Sequence, residues 1–181
     1  MTEINFSDME DDRHLTITEW DHIYMQMAEL MALNSKCASR SVGVIVVKNN
    51  SVVSSGVNGT PPGFTNCCDI FEKDSNGNWI DKESREILEG EDKLLHHVWS
   101  NRYEIHAEVN ALSKMTMNGI SSNGADLYIT HSPCFNCAKT IIASGIDTIY
   151  YKEDYDNVNY VVEFLHDNGV RSVKLGDGYE E

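Results

Sequence analysis

Basic residues are scarce. Fourteen Lys and Arg face 29 Asp and Glu, a formal net charge of −15. Phosphate contacts dominate nucleic-acid affinity, so this balance excludes a broad electrostatic surface for DNA or RNA. It does not exclude one small nucleotide, for which a few local cations or N–H groups suffice. Long apolar runs are absent too; none approaches the roughly 20 residues that a membrane crossing needs, so no membrane partner is expected. The first 12 residues are polar and acidic, with neither a basic nor an apolar stretch, and no secretory leader is expected. Cysteine is sparse and odd in number, five in all: Cys37, Cys67, Cys68, Cys134 and Cys137. Without a secretory segment they read as reduced thiols in a cytoplasmic setting (the host cytoplasm for a viral chain), available for a metal rather than a disulfide framework.

What is present fits a globular α/β chain. Its 181 residues, 41 % hydrophobic, suffice for a single domain with a real core. Residues 1–17 read as an N-terminal tail and 18–181 as the domain, interrupted by a polar insertion over about 67–103. Thr18 can cap a helix with Glu19 and Asp21 in its first turn. Trp20, Ile23, Tyr24, Met27, Leu30 and Met31 follow at helical spacing and predict its core face. Val42 to Val47 reads as a buried strand, Asn49-Asn50 as a turn, and Val52 to Gly56 as the returning strand. Gly56 to Gly63 is a loop by composition, open to close approach by a ligand. A short helix is expected near Lys82 to Leu95. Beyond it, helices over Ile105–Met117, Cys134–Ser144 and Val158–Asn168 alternate with strands at Leu127–Thr130, Thr148–Tyr151 and Ser172–Leu175. Gly145 and Gly169 stand where two helices should stop. Alternation implies parallel pairing in this half. The expected architecture is a mixed five-stranded sheet with helices on both faces.

Two short motifs carry the chemistry. His106-Ala107-Glu108 begins one expected helix, and Pro133-Cys134-Phe135-Asn136-Cys137 begins another, with Pro133 in its first turn. Alone, Cys134-x-x-Cys137 fits half a zinc knuckle or a redox pair, and a lone histidine is most often a satisfied core residue. Together, His106, Cys134 and Cys137 make three Zn2+ ligands, which leaves a fourth position for water, as catalytic zinc sites do. Helix N-termini favour thiolate over thiol, and Cys134 and Cys137 share one helical face. Glu108 diverges from His106 and is placed to serve water instead of metal. Its expected role is to move a proton from the water to a ring nitrogen and then to a leaving amine. Backbone groups of Ala107 and Ser132 are candidates for reading the base edge.

The motifs H-x-E and P-C-x-x-C are also the signature of zinc-dependent nucleobase deaminases. Over most of residues 18 to 175 the chain resembles dCMP deaminases of the cytidine deaminase superfamily. The resemblance rests on Ser41-Val42-Gly43-Val44-Ile45, Gly56-Val57-Asn58-Gly59-Thr60-Pro61, Glu104 to Ala111 and Ser132 to Lys139. Cys37, Asn66-Cys67-Cys68-Asp69 and the insertion ending Trp99-Ser100 are similar to the T-even-type phage members. It implies the cytidine-deaminase-like three-layer fold and hydrolysis of dCMP to dUMP for thymidylate synthesis. It implies Asn58 at the deoxyribose and Tyr155 at the nucleotide. It implies a homohexamer activated by dCTP and inhibited by dTTP with Mg2+. Ser113, Lys114 and Met117 depart from the phage pattern at positions linked to the effector response. A second, structural Zn2+ is implied at Cys37, Cys67 and His96, with Glu104 as the fourth ligand; Cys68 and His97 are adjacent competitors. For the phosphate, Lys139 and Arg102 are candidates. A deaminase of nucleosides or nucleic-acid cytosine, and a zinc-stabilised binding protein akin to late-competence proteins, are the alternatives. The acidic charge weighs against the nucleic-acid variant and Glu108 against the third.

Overall fold

The computed structural model describes residues 16–155 and 157–176. The expected tail therefore lies, through residue 15, outside the described residues. The first helix, α1 (Glu19–Ala32), begins as expected: the Thr18 N–H donates to the Asp21 carboxylate at 2.6 Å, one half of a capping box. Its inward face is Asp21, Tyr24, Met25, Ala28 and Ala32. That differs from the expected stripe, of which Trp20, Ile23 and Leu30 face outward. The strand β1 (Gly43–Lys48) explains the difference. A Cβ on Gly43 would lie 2.0 Å from the Ala28 carbonyl oxygen and 2.6 Å from the Ala32 nitrogen. Helix and strand meet backbone to backbone, so small residues, not bulky ones, choose the buried face.

β1 pairs antiparallel with β2 (Ser51–Val57) across a tight turn. Asn49 and Asn50 both take left-handed φ, 50° and 57°, which matches the twist of a two-residue hairpin. On its other side β1 pairs antiparallel with β5 (Asp126–His131), and β6 (Thr148–Glu153) and β7 (Arg171–Lys174) add in parallel. The sheet order is β2-β1-β5-β6-β7, the mixed five-stranded sheet that alternation predicted. Val44 and Val46 point to the face covered by α4 (Ala107–Met117), α5 (Phe135–Ala143) and α6 (Val158–Asp167). Ile45 and Val47 point to the opposite face with Tyr24, Met25 and Ala28 of α1. The period-two alternation of one strand thus feeds two cores and makes three layers. On the α1 side the Tyr128 and Tyr150 rings stack 4.5 Å apart, and the Tyr128 hydroxyl donates to the buried Asp21 carboxylate at 2.6 Å.

The insertion holds more structure than expected. It contains α2 (Cys67–Ile70), a hairpin of β3 (Phe71–Lys73) and β4 (Trp79–Asp81), a 3-10 turn at Gly90–Leu94, and α3 (Leu95–Tyr103). The helix placed near Lys82 to Leu95 is displaced downstream. Asp81 Oδ1 accepts the N–H groups of Glu83 and Ser84, an Asx turn that occupies the backbone donors a helix would need there. Cys67, Phe71 and Leu88 form a small core, flanked by Cys37, Trp79 and Trp99. Among the described residues no helix is long and apolar enough to cross a membrane.

Candidate metal centre and catalytic cleft

Two helix starts converge at the C-terminal end of β5. His106 is the N-cap of α4 and Cys134 the N-cap of α5, each one residue outside the helix it was expected to begin; Pro133 precedes the cap. His106 Nδ1 lies 3.6 Å from Cys134 Sγ and 3.3 Å from Cys137 Sγ. The three donor atoms lie within 4.8 Å of one another. What fixes α4 here is Gly56 on β2: a Cβ there would sit 2.1 Å from the Ala107 carbonyl oxygen and 2.7 Å from the Ala111 nitrogen. Asn110 Nδ2 donates to the Val57 carbonyl and Ser54 Oγ to the Ala111 carbonyl, both at 2.8 Å, which locks the helix to the strand.

The electrostatics of this cluster suit a cation. A hydrogen bond from Cys137, helped by His106, holds the Cys134 thiol down at about 4. The same contact, with burial, pushes Cys137 up. His106 is raised to about 9, chiefly by its hydrogen bond to Cys134. A thiolate and an imidazolium confront each other beside a second thiol, a donor set that exchanges protons for a divalent metal. Zinc fits it: two sulfurs and one nitrogen, at helix N-termini that favour anions. Glu108, 4 % exposed, is the buried carboxyl beside the cluster. Burial raises its pKa, and it hydrogen-bonds the Cys137 thiol. A carboxyl whose proton affinity burial raises, next to three metal donors, is equipped to take a proton and give it back.

A second cluster lies along the same cleft. Cys67 Sγ is 3.0 Å from His96 Nε2, and Cys37, Cys67 and His96 again hold their donor atoms within 4.8 Å. The Cys67 contact lowers Cys37 to about 3 and raises Cys67. Glu104 stands beside them. Burial, then the Cys37 charge, raises it to about 8, and its Oε1 is buried with no hydrogen-bond partner. The orphaned Glu104 oxygen stands beside two thiols and an imidazole, but the donor atoms that lie within 4.8 Å of one another are those of Cys37, Cys67 and His96 without it. The His96 ring lies on the Trp79 indole, centroids 3.9 Å apart, and meets Phe71 edge-on, which fixes its orientation. Of the adjacent competitors, Cys68 contacts Asp69 and His97 contacts Asn101. Neither joins the cluster.

The two clusters are joined by one tripeptide. Ile105, between Glu104 and His106, exchanges backbone hydrogen bonds with Gly59 at 2.8 and 3.1 Å. Both clusters border one cleft of about 290 Å³, together with Arg40, Asn58, Ala107, His131, Ser132 and Tyr155. All four expected substrate residues are therefore brought to it, with different freedom. Asn58 Oδ1 accepts from Ser35 Oγ and the Val42 N–H, and its Nδ2 donates to the Arg40 carbonyl, so one amide hydrogen remains for a ligand. The Ser132 N–H is bonded to the Glu153 carbonyl, and its Oγ accepts the Tyr155 N–H at 2.7 Å, leaving the Ser132 carbonyl to meet a base. Ala107 is the first residue of α4, where the N–H has no intrahelical acceptor. Lys139 and Arg102 lie over the rings of Phe135 and Tyr103 and do not line the cleft. Arg40 does, and sequence reading missed it because a single surface arginine has no spacing signature.

Comparisons with known proteins agree with this geometry. The profile of the cytidine and deoxycytidylate deaminase zinc-binding region matches residues 18–153. The deoxycytidylate deaminase of Enterobacteria phage T4 is 38 % identical over 150 residues, covering 73 % of this chain and 77 % of that protein. ComE operon protein 2 of Bacillus subtilis is 33 % identical over 151 residues, covering 83 % and 68 %. Among solved structures, the dCMP deaminase of cyanophage S-TIM5 in complex with dCMP and dUMP superposes with a TM-score of 0.67 at 35 % identity, over 88 % of this chain and 99 % of that one.

Proposed function

The chain belongs to the cytidine and deoxycytidylate deaminase zinc-binding family, and from that premise we propose that it hydrolyses dCMP to dUMP and ammonia, supplying dUMP for thymidylate synthesis. The observation that carries the reading is the convergence of His106, Cys134 and Cys137 on the buried carboxyl of Glu108 at the base of one cleft. His106, Cys134 and Cys137 would hold the zinc, which supplies Lewis acidity that brings the pKa of a water down to about 7. Glu108 takes a proton from the attacking water and passes it to the ring nitrogen next to the amine-bearing carbon. It then takes the second proton from the newly added hydroxyl and hands it to the departing amine, which leaves as ammonia as the C–N bond breaks and the carbonyl forms. Its burial keeps bulk water from competing for that proton. The Ala107 N–H and the Ser132 carbonyl hold the amide-like edge of the base, Asn58 the sugar, and Tyr155 the nucleotide.

The second cluster belongs to the same reading. Cys37, Cys67, His96 and Glu104 would hold a structural zinc that closes the insertion over its small core. A homohexamer, activation by dCTP and inhibition by dTTP with Mg2+ enter through family resemblance. Ser113, Lys114 and Met117 lie at the far end of α4 from the cleft, and Lys114 Nζ is tied to the Ser55 carbonyl at 2.9 Å.

The test follows ultraviolet absorbance with dCMP, CMP, deoxycytidine and dCTP in parallel, with and without dCTP or dTTP as effector. The expected outcome is turnover of dCMP well ahead of the others. No turnover of any of them by zinc-loaded protein would overturn the reading. Metal analysis of the same sample should give two zinc ions per chain, and one would remove the structural site.

A further inference from the structure

Arg40 occupies an unusual position for a cation in this chain. Among the described residues it is the one Lys or Arg lining the cleft that contains Glu108 and both metal clusters. Its guanidinium lies 4.4 Å from the centroid of the Tyr155 ring. Its backbone is held by Asn58, whose Nδ2 donates to the Arg40 carbonyl at 2.9 Å. No carboxylate pairs with it in the described structure, although acidic residues outnumber basic ones by 29 to 14. Arg171, Lys152, Lys174, Lys82 and Arg85, by contrast, each have an acidic partner. Glu153, whose charge acts on His131 as that of Arg40 does, is engaged by His131 at 3.1 Å. His131 itself is pushed down, first by burial and, against the pull of Glu153, by the Arg40 charge, which places the guanidinium close to that wall of the cleft.

A planar guanidinium stacked on an aromatic ring, anchored at its backbone and without an anion of its own, is prepared for bidentate binding of phosphate. A free nucleoside gives it nothing to bind. A phosphomonoester brings about two negative charges toward a chain of formal charge −15, so it needs a local cation at the point of entry. We propose that Arg40 is the specificity-determining residue for the 5′-phosphate, holding it above Tyr155 while the base reaches down to Glu108; this inference rests on the deaminase reading of the same cleft. Lys139 and Arg102, the sequence-based candidates, are placed on other rings outside it.

The experiment compares Arg40→Met and Arg40→Lys with the unaltered protein on dCMP and deoxycytidine, measuring kcat and KM separately. Product binding, dUMP against deoxyuridine, is followed by calorimetry. Met keeps the bulk over Tyr155 and removes the charge. The dCMP-to-deoxycytidine ratio of kcat/KM should fall about tenfold to a hundredfold, the scale of one charge-assisted contact, mainly through KM. The preference for dUMP over deoxyuridine should fall alongside it. Lys should recover part of both, since it keeps the charge but loses the fork. A variant in which both substrates fall by the same factor would assign Arg40 to holding Tyr155 and overturn the inference, as would an unchanged ratio. If the unaltered protein turns over neither substrate, the deaminase reading itself fails. If it turns over dCMP and Arg40→Met changes nothing, only the role of Arg40 fails.

Discussion

Replacing Gly56 with alanine should damage the metal centre from behind. The new Cβ would lie 2.1 Å from the Ala107 carbonyl oxygen and 2.7 Å from the Ala111 nitrogen, and would touch the Ala111 side chain at 3.0 Å. Carbon and oxygen settle at about 3.3 Å or more, so α4 must retreat by roughly 1 Å. Two of the three obstructing atoms are backbone, so no rotamer relieves the contact. Overpacking of this kind costs about 1–3 kcal/mol, and a backbone clash belongs at the upper end. The retreat also stretches the Asn110–Val57 and Ser54–Ala111 hydrogen bonds, worth about 1 kcal/mol each. A loss of about 3–4 kcal/mol should lower Tm by roughly 6–16 °C in a domain of this size. His106 and Glu108 ride at the start of that helix, so a 1 Å shift should cost about a hundredfold in turnover. Thermal unfolding, metal analysis and the dCMP assay on Gly56→Ala would measure all three. Gly176→Ala is the control, because a Cβ there meets nothing within 4 Å. A Gly56→Ala protein with Tm within about 2 °C of the original and a rate within about threefold would refute the claim that this glycine seats the centre.

Further outcomes follow from the same structure. Glu108→Gln should keep fold and zinc content while turnover drops by about 10²–10⁴ or more; a rate near the original would remove Glu108 as proton carrier. His96→Ala should bind one zinc fewer per chain and alter tryptophan emission, since the His96 ring lies 3.9 Å from Trp79; unchanged metal content would show that this cluster holds no metal. Stability should fall as pH rises above about 10, because the unfolded tyrosines ionise there. Burial and Asp21 hold Tyr128 protonated well beyond that point, and burial lifts Tyr150 to about 12. Folded pKa values above unfolded ones give stability that is full below pH 10 and is lost as pH climbs toward them. Tyr128→Phe should flatten that slope in urea titrations; an identical slope would contradict the assignment.

The sequence made the catalytic ligands legible because their spacing is local. His106 and Glu108 are two residues apart, Cys134 and Cys137 three, and helix starts with fixed geometry carry both pairs. The mixed sheet was legible for a similar reason, a hairpin at Val42 to Gly56 and alternation after it, while the strand order β2-β1-β5-β6-β7 came from the fold. Features that depend on distance in the chain were harder to read. The core face of α1 is set by how near Ala28 can come to Gly43, which no count of large apolar residues reveals. The hairpin of β3 and β4 is three residues a side, too short for a period to show. Glu104 came into view as a fourth ligand through family resemblance, and its physical mark, a buried oxygen without a partner, exists only in the fold. Arg40 had no mark in the sequence; only the fold sets its guanidinium 4.4 Å from the centroid of the Tyr155 ring.

Ile105 has a wider consequence. Its two backbone hydrogen bonds to Gly59 clamp a single residue that has a donor of one cluster on either side, Glu104 and His106. Neither donor can swing away without straining the other. On the proposed two-zinc reading, a chelator that strips the Cys37–Cys67–His96 cluster would therefore loosen the one at His106, and metal would return to the two together.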